Sequence, residues 1–188
     1  MSVIIKTEKI AEALQNRMNA LTFRWKSGDD TQTYTEQKPK VYAFTYDDLS
    51  NYYPIHTPAV CVQLLSVSDD GTAEYLIHVC VCNPALQDKE MTKPITNDPG
   101  FYEYKTGKKI DSAGVRTELY KYCLMLGEQV YIAMKRIANT DQSIHKIELQ
   151  TPAPYLSDFP YAECTVSFVA NVSQTIEYTT ATALENML

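Results

Sequence analysis

The chain has no long apolar run, and this bears first on any role in a membrane. A helix that crosses a bilayer takes about 20 apolar residues, and no segment of the 188 residues approaches that length. The first ten residues carry Lys6, Glu8 and Lys9 where a signal peptide would have its apolar core. We therefore expect a protein with no membrane partner that stays in the cytosol where it is made.

Clustered glycines and an excess of basic residues are also missing. The six glycines are scattered along the chain, so none of them forms a phosphate-binding loop. Lys and Arg number 17 against 23 Asp and Glu, which gives a net charge of -6. Because phosphate backbones are gripped by dense Lys/Arg surfaces, this balance argues against direct nucleic-acid binding.

The five cysteines lack the paired Cys-x-x-Cys spacing of a zinc site, and in the cytosol they should be reduced. His78, Cys80 and Cys82 lie two residues apart, which places them on one face of a strand, with Cys61 across a predicted hairpin. Zinc takes about four converging ligands, whereas neighbours on one strand face point in parallel. The sequence therefore favours core cysteines over metal ligands, and we predict no metal site.

No catalytic motif is visible either. Cys164 as a nucleophile would need His145 as its base, but Cys164 belongs to a set of residues expected to face the core. Two acid pairs, at residues 47–48 and 69–70, fall at turns, where Asp is favoured for its local hydrogen bonds. We predict that the chain is not an enzyme, with no catalytic residues, no cofactor-binding residues and no cofactor.

The clearest positive pattern is an alternation of apolar and polar residues over residues 162–173. Successive side chains of a strand point to opposite faces, so this alternation predicts a half-buried antiparallel strand. Its core face would carry Ala162, Cys164, Val166, Phe168, Ala170 and Val172.

Three further strands are predicted from composition and turn residues. Residues 59–67 are nearly all apolar, which indicates a strand covered on both faces. An Asp-Gly turn at residues 68–71 then leads into a returning strand at residues 74–82. Residues 144–150 alternate, with Ile147 and Leu149 on one side.

An amphipathic helix is predicted near the start of the chain, at residues 8–21. Its apolar positions recur at helical spacing, and Thr7 is the predicted N-cap.

A second, longer helix is predicted at residues 114–137, with Ser112 as N-cap and Asn139 as stop. Its apolar arc is broad, so we expect it to lie on a sheet. Gly127 in its middle costs about 1 kcal/mol against Ala, and we interpret it as a place of close contact between helix and sheet.

These elements predict one α+β domain over residues 1–188. Its antiparallel, or mixed, sheet would have about four to five strands, with both helices packed on one face. Residues 83–111 are predicted to be a long loop insertion and residues 174–188 a tail or arm. The fourteen tyrosines suit either the margins of the core or an interface buried on assembly.

The order of these elements resembles a known family. A helix at residues 9–21 precedes the strands Pro58-Ala-Val-Cys-Val-Gln-Leu and Glu74-Tyr-Leu-Ile-His-Val-Cys-Val, and a long helix at 114–137 precedes Tyr161-Ala-Glu-Cys-Thr-Val-Ser-Phe-Val. Over residues 8–173 this layout is similar to the tail-terminator, or tail-completion, proteins of long-tailed bacteriophages and their prophage or tailocin relatives.

The resemblance implies a non-enzymatic structural protein of the virion tail, assembled in the host bacterial cytoplasm. Such a protein forms a homo-oligomeric, hexameric ring that caps the tail tube, stops its polymerisation and joins it to the head connector. Its partners would be itself, the tail-tube protein and the head–tail connector protein. A ring needs a head-to-tail interface that closes, and we expect outer strand faces, strand edges and loops to supply it.

Two other functions fit the residues. One is a small-molecule or peptide-binding α+β module of bacterial origin, with a pocket between sheet and long helix lined by Tyr122, Tyr131 and Phe168. The other is an enzyme that uses His78, Cys80 or Cys164.

Overall fold

The computed structural model describes residues 2–26, 34–45, 57–82, 93–94, 101–103, 109–151 and 161–172. Two helices and ten strands lie in these ranges. In chain order they are α1 (Val3–Met18), β1 (Phe23–Lys26), β2 (Tyr34–Gln37), β3 (Lys40–Ala43), β4 (Ala59–Val67), β5 (Thr72–Cys82), β6 (Lys93–Pro94), β7 (Phe101–Glu103), β8 (Lys109–Asp111), α2 (Ser112–Thr140), β9 (Ile144–Gln150) and β10 (Tyr161–Asn171).

The main sheet has five strands in the order β3-β4-β5-β10-β9. Its pairs are antiparallel except β3 with β4, which run parallel, so the sheet is mixed. A two-stranded sheet of β1 and β2 and a three-stranded sheet of β6, β7 and β8 stand apart from it. The chain is therefore α+β, as its sequence predicts.

Both helices pack on the same face of the main sheet. α1 contacts β3 and β4, and α2 contacts β5, β9 and β10. Side chains from both helices and from this face form one continuous buried cluster. The prediction of two helices on one face is confirmed.

The alternation of β10 is confirmed residue by residue. Ala162, Cys164, Val166, Phe168 and Ala170 are buried, while the residues between them are only partly covered. The largest of these side chains, Phe168, stacks on the ring of Tyr75 of β5, with ring centroids 4.7 Å apart. β10 is thus held against β5 by the backbone pairing of the two strands and by this ring contact.

α1 begins earlier than predicted, and Thr7 is not its N-cap. Ser2 caps the helix, its Oγ accepting a hydrogen bond from the Ile5 amide at 3.4 Å. Thr7 lies buried inside the helix, and its hydroxyl donates to the Val3 carbonyl at 2.7 Å. A threonine hydroxyl can cap a helix, but it can also donate to a carbonyl of the preceding helical turn. Residue type alone therefore predicted the start of α1 wrongly.

α2 is longer than predicted at both ends. It begins at Ser112, the predicted N-cap, which is itself helical, and it passes the predicted stop, Asn139, by one residue. The interpretation of Gly127 is confirmed, because a Cβ built there would lie 2.5 Å from Cys164 Sγ and 3.2 Å from Leu149 Cδ1. The helix therefore approaches β10 and β9 as closely as a residue without a side chain allows.

β4 is covered on both faces for only part of its length. Its first four residues, from Ala59 to Val62, are buried, but Gln63, Leu65 and Val67 are exposed. The register with β5 shifts between Leu64 and Ser66, and residues 65–70 beyond that shift are exposed. The prediction of a doubly covered strand is therefore wrong for residues 63–67, because an apolar run does not reveal where its cover ends.

A bulge disturbs β9, the edge strand next to β10. Lys146 has a φ of 52°, and the register with β10 shifts between Ser167 and Val169. As a result Ile144 and Ile147, an odd number of residues apart, are both buried. A bulge and an exposed lysine are devices that discourage another strand from pairing at a sheet edge.

The opposite edge, β3, is occupied by a side chain of α1. The Val41 amide donates to Gln15 Oε1 at 2.7 Å, and Gln15 Nε2 donates to the Pro39 carbonyl at 3.2 Å. The amide of Gln15 thus takes hydrogen bonds that a neighbouring strand would take. Both edges of the main sheet are therefore blunted, which disfavours pairing with a further strand.

Replacing Gln15 by alanine should lower the free energy of unfolding by about 1–3 kcal/mol, because the Val41 amide loses its acceptor. The freed edge should also make the protein more prone to aggregate. Chemical denaturation and light scattering measure both effects. Asn16→Ala, an exposed neighbour on the same helix, is the control and should change neither; equal effects in both variants would contradict this role of Gln15.

Part of the predicted loop insertion contains regular structure. The strands β6, β7 and β8 lie within residues 83–111. The prediction of a stretch without secondary structure is wrong for these strands, whose pairing sequence periodicity does not reveal. The remaining residues of that stretch, the predicted tail at 174–188 and the acid pair at 47–48 lie outside the described residues.

Candidate functional site

The cysteines weighed as metal ligands lie in the packed interior. Cys61, Cys80 and Cys82 are buried on the sheet face that points away from the helices, and Cys61 pairs across β4 and β5 with His78. Among the residues that the structure describes, no three His, Cys, Asp or Glu side chains come together to hold a metal ion. The interpretation of these cysteines as core residues is confirmed.

The ionisation of these groups also argues against chemistry at the thiols. Burial, reinforced by the nearby Glu163 carboxylate, raises the pKa of Cys80 well above its ordinary value. Burial raises the pKa of Cys82 to about 12. A thiolate is the reactive form of cysteine, so both side chains stay protonated at neutral pH. Burial also lowers the pKa of His78, whose Nε2 lies 2.8 Å from Gln63 Oε1.

Cys164 and His145 are not brought together. Cys164 faces the helices, and its Sγ donates to the Cys123 carbonyl at 3.5 Å. His145 pairs with Val169, five residues further along β10, where odd-numbered positions face away from the helices. Nucleophile and base would therefore stand on opposite faces of the sheet.

The three aromatic residues predicted to line a pocket do not face one space. Tyr122 and Tyr131 are nine residues apart on α2, which places them on opposite flanks of the helix. Tyr122 donates to the Arg24 carbonyl at 3.2 Å, and Phe168 is already stacked on Tyr75. Between the flanks, Gly127 lies directly against Cys164. The centre of this helix–sheet contact is filled.

A polar cluster that the sequence did not predict links α1 to the short segment between α2 and β9. Lys6 is only 4% exposed, and its Nζ donates to Asp141 Oδ2 and, at 2.5 Å, to Ser143 Oγ. Asp141 Oδ1 also accepts from the Ser143 hydroxyl at 2.6 Å. Because Lys6 stands four residues before the buried Ile10, its place on the apolar stripe of α1 was the available signal. These groups satisfy one another, so we interpret the cluster as structural.

Besides the region of Ile4 and Ile5 on α1, two surfaces of the described residues combine exposed apolar side chains with charge. The first, the hairpin patch, is formed by Leu65, Asp70 and Glu74 around the β4–β5 turn. Leu65 is 53% exposed. Glu74 pairs across the hairpin with Ser66, whose hydroxyl donates to its carboxylate at 3.2 Å. No basic residue occurs between positions 63 and 76, so this surface is acidic.

The second surface, the helix patch, lies along the solvent side of α2. It consists of Lys121, Met125, Glu128, Ile132, Lys135 and Arg136, which share one side at 3.6 residues per turn. Met125 is 55% and Ile132 41% exposed. Glu118, which is half-buried, shares this side of the helix, so three basic residues stand against two acidic ones and the helix patch has a small net positive charge.

Six of the fourteen tyrosines have side chains that the structure describes, and none of these six is exposed. Tyr42 and Tyr75 are buried, and Tyr120, Tyr122, Tyr131 and Tyr161 are half-buried. In the described ranges the exposed large apolar side chains are aliphatic residues, methionine and one phenylalanine.

In the described part of the chain, no helix has the length and apolar character needed to cross a membrane. Comparison with protein-family models, curated proteins and solved structures finds no significant match to this chain. The chain is thus an α+β domain whose hairpin and helix patches carry opposite charge.

Proposed function

We propose that this chain is a non-enzymatic assembly protein of a bacteriophage or prophage tail. In this role it closes into a homo-oligomeric ring, caps the end of the tail tube and joins the tube to the head connector. Its partners are further copies of itself, the tail-tube protein and the connector protein.

The order and packing of the main elements carry this proposal. α1, the β4–β5 hairpin, α2 and β10 follow one another in the order on which the family resemblance rests. The strands of this set belong to one sheet, and both helices lie on one of its faces.

The surfaces support the assembly role independently of that order. The blunted edges of β3 and β9 disfavour open-ended strand addition. The exposed hairpin and helix patches leave room for side-chain contacts of defined geometry, as a ring of fixed size requires.

Removal of the gene from the phage or prophage that carries it tests the proposal. We expect tail tubes of uncontrolled length without attached heads, because nothing would stop tube growth or offer a surface to the connector. Electron microscopy of the lysate gives the length distribution, and wild-type protein supplied in trans should restore it. Particles of normal tail length with heads attached would refute the proposed role.

A further inference from the structure

We infer that the hairpin patch of one copy docks on the helix patch of a second copy. The inference deepens the proposed function and rests on it for the identity of the partner as another copy of this chain. It commits to a head-to-tail contact, in which each copy uses two different surfaces.

Charge complementarity is the first argument for this pairing. The hairpin carries Asp70 and Glu74, with Asp69 beside them, and no Lys or Arg occurs between positions 63 and 76. On the helix, Lys121 stands four residues before Met125 and Arg136 four residues after Ile132. The acidic hairpin patch therefore meets the helix patch, whose basic residues lie on both sides of its apolar centre. Such complementarity sets register and suppresses wrong pairings more than it adds affinity.

The exposed apolar side chains are the second argument. Leu65 at the hairpin and Met125 and Ile132 on the helix are each more than two-fifths exposed. Burying such side chains against one another supplies the non-directional part of the association energy. Each patch thus has an apolar centre and charged neighbours, the usual arrangement of a protein interface.

Pairing of like patches is disfavoured on both surfaces. Two hairpin patches face to face would bring Asp70 and Glu74 against acidic residues. Two copies of α2 crossing antiparallel between Met125 and Ile132 would place Lys121 of one against Arg136 of the other. Because only unlike patches match, the contact is heterologous, and repetition of a heterologous contact gives a ring or a filament.

Reciprocal charge reversal tests this contact. One variant reverses the hairpin patch (Asp70→Lys with Glu74→Lys), and the other reverses the helix patch (Lys121→Glu with Arg136→Glu). Each variant alone should self-associate about 100-fold more weakly than wild type, because like charges then face each other. An equimolar mixture should regain the wild-type oligomer, since the reversed hairpin of one variant fits the reversed helix of the other.

Masses measured by sedimentation velocity at low salt report the outcome. Variants that remain assembled, folded variants whose mixture stays monomeric, or a wild-type protein that is itself monomeric would each overturn the inference. Asp70 also accepts the Thr72 amide at 2.9 Å within the turn, so Glu74→Lys alone replaces the double variant if the latter does not fold.

Aliphatic substitutions provide a matched control. Leu65→Ser and Ile132→Ser should each weaken the oligomer, whereas Ile4→Ser should not. Ile4 on α1 is 54% exposed, about as much as Leu65 at 53%, but belongs to neither patch. If all three substitutions weakened the oligomer equally, the association would be nonspecific. That result would overturn the assignment of the contact to the two patches.

This test separates the inference from the proposed function. A failed rescue together with overlong tubes on gene removal would leave the function standing and remove the contact. A successful rescue together with normal tails would leave the contact standing and remove the function.

Discussion

Replacement of Asp141 by alanine is expected to lower the free energy of unfolding by about 2–3 kcal/mol. The loss arises because Lys6, buried to 4% exposure in α1, would keep its charge without the carboxylate that balances it. Removing one partner of a fully buried ion pair costs about 3–5 kcal/mol of stability. The expected loss for Asp141→Ala is smaller because the Asp141 side chain is 38% exposed. Urea or guanidinium denaturation gives the difference.

The reciprocal variant is the control. Lys6→Met removes the buried charge and keeps an apolar stem, while Asp141 retains the Ser143 amide and hydroxyl as donors. We expect a loss of only about 1 kcal/mol, since an apolar replacement of a buried charge is often tolerated. A loss from Lys6→Met equal to or larger than that from Asp141→Ala would contradict the reasoning.

The same pair predicts a dependence of stability on pH. Burial by itself would raise the pKa of Asp141, but hydrogen bonds from Lys6 and Ser143 and the charge of Lys6 outweigh it and lower that pKa. A carboxyl group whose pKa is lower in the folded state stabilises the fold above its unfolded pKa, about 3.9. This contribution is lost as pH falls from there through the folded pKa. The stability difference between wild type and Asp141→Ala should therefore shrink below about pH 4.

Substitution of Gly127 by valine should lower the free energy of unfolding by about 3 kcal/mol or more, the upper end of overpacking effects. An added Cβ already lies 2.5 Å from Cys164 Sγ, and Leu149 Cδ1 at 3.2 Å adds to the crowding. Cys164 sits in a central strand with 1% exposure, so its sulfur cannot swing into solvent. Thermal or chemical unfolding of the purified variant measures the loss.

Alanine at the same position provides the decisive comparison. Gly127→Ala gains about 1 kcal/mol of helix propensity but meets the same sulfur, so we expect a net loss of about 1 kcal/mol. Combining it with Cys164→Ala removes the sulfur and should make the double variant more stable than the sum of the single changes allows. Simple additivity of the two substitutions would show that helix and strand do not meet at this point.

Patterns within one element predicted much of the fold. The alternation of β10 and the broad apolar arc of α2 each describe a single element facing one core, and local periodicity records such faces directly. Gly127 was interpretable for the same reason, because a glycine within a strong helix pattern needs a packing cause. The start of α1 failed because Thr7 can serve either a cap or a helix interior.

Features that depend on distant parts of the chain were not predictable in this way. β3 is four residues long and owes its place to parallel pairing with β4 and to Gln15 of α1. Lys6 and Asp141 are 135 positions apart, so no local sequence pattern includes both residues.

The candidate surfaces show the same limit. Nothing in the apolar run of β4 indicates that its cover ends after Val62, which is why Leu65 was expected in the core and is exposed. On α2, Met125 and Ile132 lie outside the predicted apolar arc, and the structure leaves both exposed.

The central claim is a ring closed by head-to-tail contacts, and the mass of the purified wild-type protein in solution tests it. Mass photometry or sedimentation velocity over a range of concentrations, at low salt, separates the alternatives. A head-to-tail contact that closes predicts one discrete oligomer of about six copies, which loses mass when salt screens the two patches. A protein that stays monomeric at every concentration, or that forms an open ladder of sizes, would contradict the claim of a closed ring.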